Sequence, residues 1–305
     1  MTKFIASLTA LVTMLMAFLG ISGVQNTDIT PNAWMAGIDD SAYISEMSIP
    51  GTHDSGALYE PVEPSAKCQT YTIKDQLDMG VRFLDMRCNI SGGKFNIVHG
   101  VVYQAQKFDD TLADCYAFLR ANPSETIIMS VKPGVDQLNI TKLFTKILKK
   151  YISDDPDMWY TEQAIPQLGS VRGKIVLFNR FDGDSGLGLN CYDWLENTMF
   201  TIDNGDYKVH IQDYYKIDSL DTEWGYITEL LYASKNESDR AHNLYVNFLS
   251  GYTKKLLLPN PPEVAENINP RFTDYINASP KGCYGIILYD FVTPELCDML
   301  INTNF

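Results

Sequence analysis

The sequence predicts an α/β protein built as a single distorted (β/α)8 barrel, with an active site at the C-terminal rim of its strands. Three observations carry this. Short, near-continuous apolar runs alternate with amphipathic stretches from about residue 43 to the end, and such runs mark strands covered on both faces, as in a parallel sheet. Eight runs in about 260 residues fit one barrel. Polar side chains also gather just past the ends of the runs, where barrel enzymes assemble their sites.

Strands are expected at Ile44 to Pro50, Val81 to Arg87, Phe95 to His99, Thr126 to Val131, Lys174 to Phe178, Val209 to Gln212, Leu244 to Phe248 and Tyr284 to Tyr289. Between them, Leu112, Cys115, Tyr116 and Leu119 recur at helical spacing after Asp109-Asp110, which can cap the start. Leu143, Phe144, Ile147 and Leu148 do the same before Lys149-Lys150, which suit a helix C-terminus. Residues 219–234 and 293–302 also have helical character, whereas Pro259 to Pro262 and Phe181 to Gly188 read as surface loops. Asn89 to Phe95 is too short for a helical crossover, which is why the barrel is expected to be distorted.

A formal charge of −14 repels phosphate backbones, which argues against nucleic acid as a partner. Any membrane contact must then come from local basic groups or inserted apolar side chains. Lys3 followed by the apolar run Phe4 to Val24 reads as a signal peptide, residues 1–24, with an uncleaved membrane anchor as the alternative. Secretion is expected, with residues 35–305 forming the catalytic barrel. Six cysteines in an exported chain suggest disulfides, although buried thiols are the competing reading. Sequons occur at Asn89, Asn139, Asn236 and Asn277.

The chemistry concentrates at the expected strand ends. His53 and Asp54 follow the first strand, Asp85 and Arg87 close the second, and His99 ends the third. Lys132 follows the fourth, Arg180 the fifth, Asp213 and Tyr215 the sixth, and Asp290 ends the eighth. Two imidazoles can divide the work of phosphodiester cleavage, one taking a proton from the attacking hydroxyl and the other protonating the leaving oxygen. A guanidinium matches the charge and shape of the phosphate. Asp290, if it reaches His53, would fix the imidazole tautomer. His210 and His242 lack such company and read as structural or surface residues.

The motifs Ser48-Ile-Pro-Gly-Thr-His-Asp-Ser55, Phe83-Leu-Asp-Met-Arg87 and Asn122-Pro-Ser-Glu-Thr-Ile-Ile-Met-Ser-Val-Lys132 resemble bacterial phosphatidylinositol-specific phospholipase C. Arg172 to Arg180, Leu244 to Phe248 and Gly285 to Asp290 continue the likeness in order, over roughly residues 35–300. The resemblance implies a distorted TIM barrel in which the inositol 2-hydroxyl attacks phosphorus, releasing diacylglycerol and a cyclic inositol phosphate. It places His53 as general base with Asp290 as its partner, and His99 as general acid assisted by Asp54. Arg87 then binds phosphate beside the supporting carboxylate Asp85, while Lys132, Arg180, Asp213 and Tyr215 hold the inositol ring. Membrane phosphatidylinositol is the expected substrate, glycosyl-phosphatidylinositol anchors being a further class left open, and a monomer making transient membrane contact is the expected state.

No cofactor is expected. Arg87 supplies a fixed positive charge where calcium-dependent relatives hold their ion, and the alternative is a calcium site built on Asp54 and Asp85. Tyr192, Trp194, Leu256, Leu257 and Leu258 are the candidates for membrane insertion, with a buried leucine cluster as the alternative. Two other functions remain open on the residues alone: a phosphodiesterase for another head group, and an inactive barrel serving as a lipid- or partner-binding module.

Overall fold

The structure, a computed structural model, describes residues 29–134, 140–255 and 257–305. The expected signal peptide, the Asn139 sequon and Leu256 lie outside these residues. Among the described residues, no helix is long and apolar enough to cross a membrane.

The main sheet is an open barrel. Its parallel strands are β1 (Ile49–Thr52), β2 (Phe83–Ser91), β5 (Ile127–Pro133), β6 (Trp159–Tyr160), β7 (Ile175–Asn179), β8 (Leu189–Asn190), β10 (Lys208–Asp213), β11 (Asn243–Phe248) and β14 (Ile286–Tyr289). Around the barrel the order is β6-β7-β5-β2-β1-β14-β11-β10, followed by antiparallel β9 (Thr198–Asp203). The inner strands are buried along their length, notably Ile127–Val131, Ile175–Asn179 and Ile286–Tyr289. This explains their unbroken apolar runs, since helices cover the outer face while side chains fill the interior.

Among the described residues no ladder joins the β7–β8 edge to the β9–β10 edge. Side-chain amides tie this seam instead: Asn190 Nδ2 donates to Asn204 Oδ1 at 3.1 Å, and Asn204 Nδ2 donates to the Asn190 carbonyl at 3.0 Å.

Several elements differ from expectation. The third expected strand is not a barrel strand. β2 runs on past the rim, turns at Gly92 and Gly93, and returns as antiparallel β3 (Lys94–His99), which pairs in turn with β4 (Val102–Lys107). Both turn glycines have positive φ, 58° and 76°, the backbone that a two-residue hairpin turn requires. The first expected strand begins later, because Ile44–Glu46 is a 3₁₀ turn. Pro259 to Pro262 is not a loop: Leu258–Asn260 pairs with Thr253–Lys255, and Pro261 opens the helix Pro261–Ala278. Proline is tolerated at that first position because its missing N–H would be unpaired anyway.

The helix Phe108–Ala121 has Lys107 at its N-cap, so Asp109 and Asp110 lie within its first turn, where they meet the positive end of the helix dipole. The helix Thr141–Asp154 continues one turn beyond Lys149-Lys150, and Lys150 pairs with Asp154 at 2.8 Å. The last two expected helices appear as Leu220–Lys235 and Pro294–Ile301. All six cysteines are free thiols, contrary to the expected disulfides; five are buried, and burial pushes all six thiols up.

At the end of the barrel opposite the rim, Arg82 and Glu125 form an ion pair at 2.8 Å, and neither side chain is exposed. Arg82 also donates to the carbonyls of Leu77, Val81 and Pro31, and stacks over Phe118. Glu125 accepts from the Met35 N–H and the Ser124 hydroxyl. The pair therefore binds the N-terminal segment to the starts of β2 and β5. Removing one partner strands the other charge in a low-dielectric interior. Glu125→Ala is expected to lower unfolding free energy by about 3–5 kcal/mol in chemical denaturation, and a loss below about 1 kcal/mol would contradict this account.

Candidate active site

Parallel register assembles the rim. Thr52 on β1 lies opposite Tyr289 on β14, so the next residues along each strand, His53 and Asp290, become neighbours. The His53 N–H donates to the Tyr289 carbonyl at 3.0 Å, and Gln69 Nε2 donates to the carbonyls of both His53 and Tyr289 at 2.8 Å. Gly51 permits the close strand approach here, because a Cβ at that position would lie 2.9 Å from Phe83 Cβ. On β2, Asp85 lies opposite Ser130 and Arg87 opposite Lys132.

His53 Nδ1 is 2.8 Å from Asp290 Oδ1, and its Nε2 is 2.5 Å from Arg87 Nη2. A guanidinium only donates and a carboxylate only accepts, so these partners place the proton on Nδ1 and leave Nε2 with its lone pair. This is the tautomer a general base requires.

Arg87 is bracketed by carboxylates: Nη1 is 3.4 Å from Asp54 Oδ2, and Nη2 is 3.2 Å from Asp85 Oδ2. Asp85 also accepts from Ser130 Oγ at 3.1 Å and lies 3.5 Å from Arg180 Nη1. Burial acts against the charge of Asp85, but Arg87, then Arg180 and His53, outweigh it and hold the carboxyl well below the usual range. Burial likewise opposes the charge on Arg87, yet Asp54 and Asp85 prevail and raise its pKa. Asp54 sits at φ 40°, a left-handed backbone that aspartate tolerates, and its carboxylate is fully buried.

His99 reaches the rim from the β3–β4 hairpin rather than from a barrel strand. Its Nδ1 donates to the Ala66 carbonyl at 2.7 Å, leaving Nε2 for proton transfer. Asp54, expected to assist His99, has its Oδ2 3.8 Å from that Nδ1 and makes no hydrogen bond to it. The Ala66 carbonyl takes that hydrogen bond instead.

These groups surround a cavity of about 270 Å³ lined by His53, Arg87, His99, Lys132, Asp213, Tyr215 and Asp290, among others. Three expected site residues, Asp54, Asp85 and Arg180, lie behind its wall. Arg180 is buried, stacks 3.4 Å over the Trp194 ring and touches Asp85, so it supports the site through other side chains. Trp194 Nε1 donates to Asp213 Oδ2 at 2.8 Å, and burial, opposed by Arg180, raises the Asp213 carboxyl. Trp194 packs on Phe178, Phe200 and Phe248, so it belongs to this wall and not to a membrane-inserting rim. His210, stacked on Tyr245, and exposed His242 both lie outside the cavity.

Sequence reasoning missed Glu196, Tyr252 and Cys68, which also line the cavity. Glu196 accepts from the Tyr215 hydroxyl at 2.7 Å. It lies in an irregular segment ahead of β9, where no periodicity points to it.

The profile of the family described as "Phosphatidylinositol-specific phospholipase C, X domain" matches residues 44–181. A 1-phosphatidylinositol phosphodiesterase of Staphylococcus aureus is 35% identical over 278 residues, covering 86% of this chain and 88% of the relative. The chain belongs to the phosphatidylinositol-specific phospholipase C family. A Listeria monocytogenes 1-phosphatidylinositol phosphodiesterase is 27% identical, covering 90% of this chain and 86% of the relative. The fold agrees. A crystal structure of a pentafluoro-Phe variant of the S. aureus phospholipase C superposes with TM-score 0.82 at 33% identity, covering 90% of this chain and 98% of that one. As expected for this family, the strands form a distorted TIM barrel.

Lys132 faces the cavity opposite Arg87 in register, and burial, followed by repulsion from Arg180 and Arg87, brings its ammonium down to about 8. It is therefore charged below about pH 8 and neutral above. Binding of an inositol phosphate is expected to weaken as pH rises through that value, and to lose this dependence in Lys132→Met. Titration calorimetry across the interval checks this; a wild-type Kd that stays flat would remove Lys132 from ligand binding.

Proposed function

We propose that this phospholipase C cleaves phosphatidylinositol to diacylglycerol and inositol 1,2-cyclic phosphate by two-histidine acid and base catalysis. The observation that carries the reading is the chain Asp290–His53–Arg87, with His53 Nε2 unprotonated in a cavity that also holds His99. In the free enzyme Arg87 donates to that Nε2; an incoming phosphodiester, with one negative charge shared over two non-bridging oxygens, draws the guanidinium away and uncovers the base. His53 takes the proton of the inositol 2-hydroxyl as its oxygen attacks phosphorus, and Asp290 stabilises the imidazolium formed. Arg87 donates to the non-bridging oxygens, whose charge the transition state redistributes. His99 protonates the departing diacylglycerol oxygen through Nε2. Slow hydrolysis of the cyclic phosphate reverses the two roles, with water as the nucleophile.

In this reading Lys132, Asp213 and Tyr215 contact the inositol head group, with Glu196 holding the Tyr215 hydroxyl, while Arg180 acts through Asp85 and Trp194. Arg87 fills the space between Asp54 and Asp85 that a calcium ion would need, which supports a metal-independent reaction. Leu257, at 90% exposed, with Leu258 and Tyr192, supports transient contact with a lipid surface. Export through the N-terminal apolar segment, action as a monomer and cleavage of glycosyl-phosphatidylinositol anchors complete the proposal.

Each acid or base role contributes on the order of 10²–10⁴ in rate. His53→Ala is accordingly expected to lower release of water-soluble inositol phosphate from phosphatidylinositol vesicles by at least that much, with an unchanged circular dichroism spectrum. Near-normal turnover would remove His53 from the mechanism. Independently, excess EDTA is expected to leave the wild-type rate undiminished, and Arg87→Ala to be severely impaired with no rescue by calcium. Calcium-dependent turnover in the wild type would overturn the role assigned to Arg87.

A further inference from the structure

Cys68 has no part in the reaction above, yet it lines the same cavity as a free thiol. Its Sγ lies 3.7 Å from His99 Nδ1. One nitrogen of His53, the sulfur of Cys68 and one carboxylate oxygen of Asp290 all lie within 4.8 Å of one another. Asp290 is 1% exposed, and its Oδ2 has no hydrogen-bond partner. A buried carboxylate oxygen without a donor is an unmet electrostatic demand, here on the same carboxylate that accepts from His53 through Oδ1.

A donor set of sulfur, nitrogen and oxygen does not suit calcium or magnesium, which take oxygen ligands. It suits the borderline ions, zinc above all, which bind thiolate, imidazole and carboxylate together in tetrahedral sites. Metal–ligand lengths of about 2.0–2.3 Å imply donor separations of roughly 3.3–3.8 Å, so no pair of the three atoms need close by more than about 1.5 Å. We propose that the catalytic cavity binds one zinc-type divalent cation through Cys68, His53 and Asp290, and that this ion shuts the enzyme off.

The charges balance. The thiol proton leaves to solvent as the metal–sulfur bond forms, so thiolate and carboxylate together neutralise the ion's two charges despite the neighbouring Arg87. Water completes the coordination. Inhibition follows from which lone pairs are used. An ion on His53 Nε2 occupies the base itself, whereas an ion on Nδ1 moves the ring proton from Nδ1 to Nε2, which then has no lone pair to offer. In either case no nitrogen remains poised to take the 2-hydroxyl proton.

The coordination stands on the geometry alone, but its inhibitory effect rests on His53 being the base, so the experiment reads the two separately. EDTA-stripped wild type and Cys68→Ala are titrated with cobalt(II), followed by near-ultraviolet absorption, and with zinc(II), followed by cleavage of phosphatidylinositol in detergent micelles. Wild type is expected to show a thiolate-to-cobalt charge-transfer band saturating at one equivalent, together with inhibition by zinc. Cys68→Ala is expected to lack the band, to keep the metal-free rate and to need at least about tenfold more zinc for half-inhibition. Zinc bound by the lipid affects both proteins alike and cancels in the comparison. Absence of the band in wild type, or equal zinc sensitivity in the two proteins, overturns the proposal. A saturating band without inhibition upholds the site and overturns its effect on catalysis. If Cys68→Ala does not fold, the wild-type cobalt titration still decides coordination. If no lipid is cleaved, the cobalt titrations also decide coordination, and the failure falls on the proposed function.

Discussion

The rim is organised around one buried guanidinium. Arg87 is held by Asp54 and Asp85 and donates to His53. Without it, the fully buried Asp54 would lose its nearest cation and Asp85 would keep only Arg180 in contact, and the energetic penalty would favour protonation of one of them. With it, Asp85 stays ionised and gathers a second set of partners, Ser130 and Arg180. Arg180 in turn stacks on Trp194, and Trp194 binds Asp213. A single charge thus reaches from the proposed catalytic histidine to the far wall of the cavity.

The same arrangement gives the free enzyme a resting state. His53 Nε2 is not open to solvent but engaged by Arg87, which keeps its lone pair unprotonated and aligned with Asp290 behind it. A phosphodiester competes for Arg87 better than a neutral imidazole, because it carries a negative charge and offers two oxygens that the planar guanidinium can bind together. In the proposed mechanism, base activation is thereby coupled to arrival of the group to be cleaved. Cys68 and the unpartnered Asp290 oxygen lie beside this arrangement and outside its hydrogen bonding, which leaves them available for a cation of different chemistry.

At the opposite end, Arg82 and Glu125 show what a buried ion pair does away with the chemistry. Both are fully buried, and nearly every donor and acceptor they carry has a partner in the surrounding loops. The rim, in contrast, leaves both Asp54 oxygens and one Asp290 oxygen without hydrogen bonds. The paired charges of Arg82 and Glu125 stabilise the barrel, whereas the unsatisfied oxygens of Asp54 and Asp290 lie on the side of the cavity.

Most of the barrel was legible in the sequence, because strands buried on both faces must be apolar at every position and so announce themselves without an alignment. His53, Arg87 and Asp290 were legible for a related reason: a charged side chain directly after an apolar run has few places to go except the rim. Tertiary pairing decided the rest. The Phe95–His99 run reads like a barrel strand, but hairpin and parallel strands share the same local pattern and differ only in what they hydrogen-bond to. The helix after Pro261 was hidden because proline is disfavoured inside helices and reads as a break, yet this helix opens on Pro261 and carries Pro270 within it. The contact between His53 and Asp290, 237 residues apart, depends on the register of β1 against β14. Residue types at strand ends therefore came from the sequence, while partners, protonation and the seat of Cys68 came from the register, because hydrogen bonds between distant strands leave no local trace in the chain.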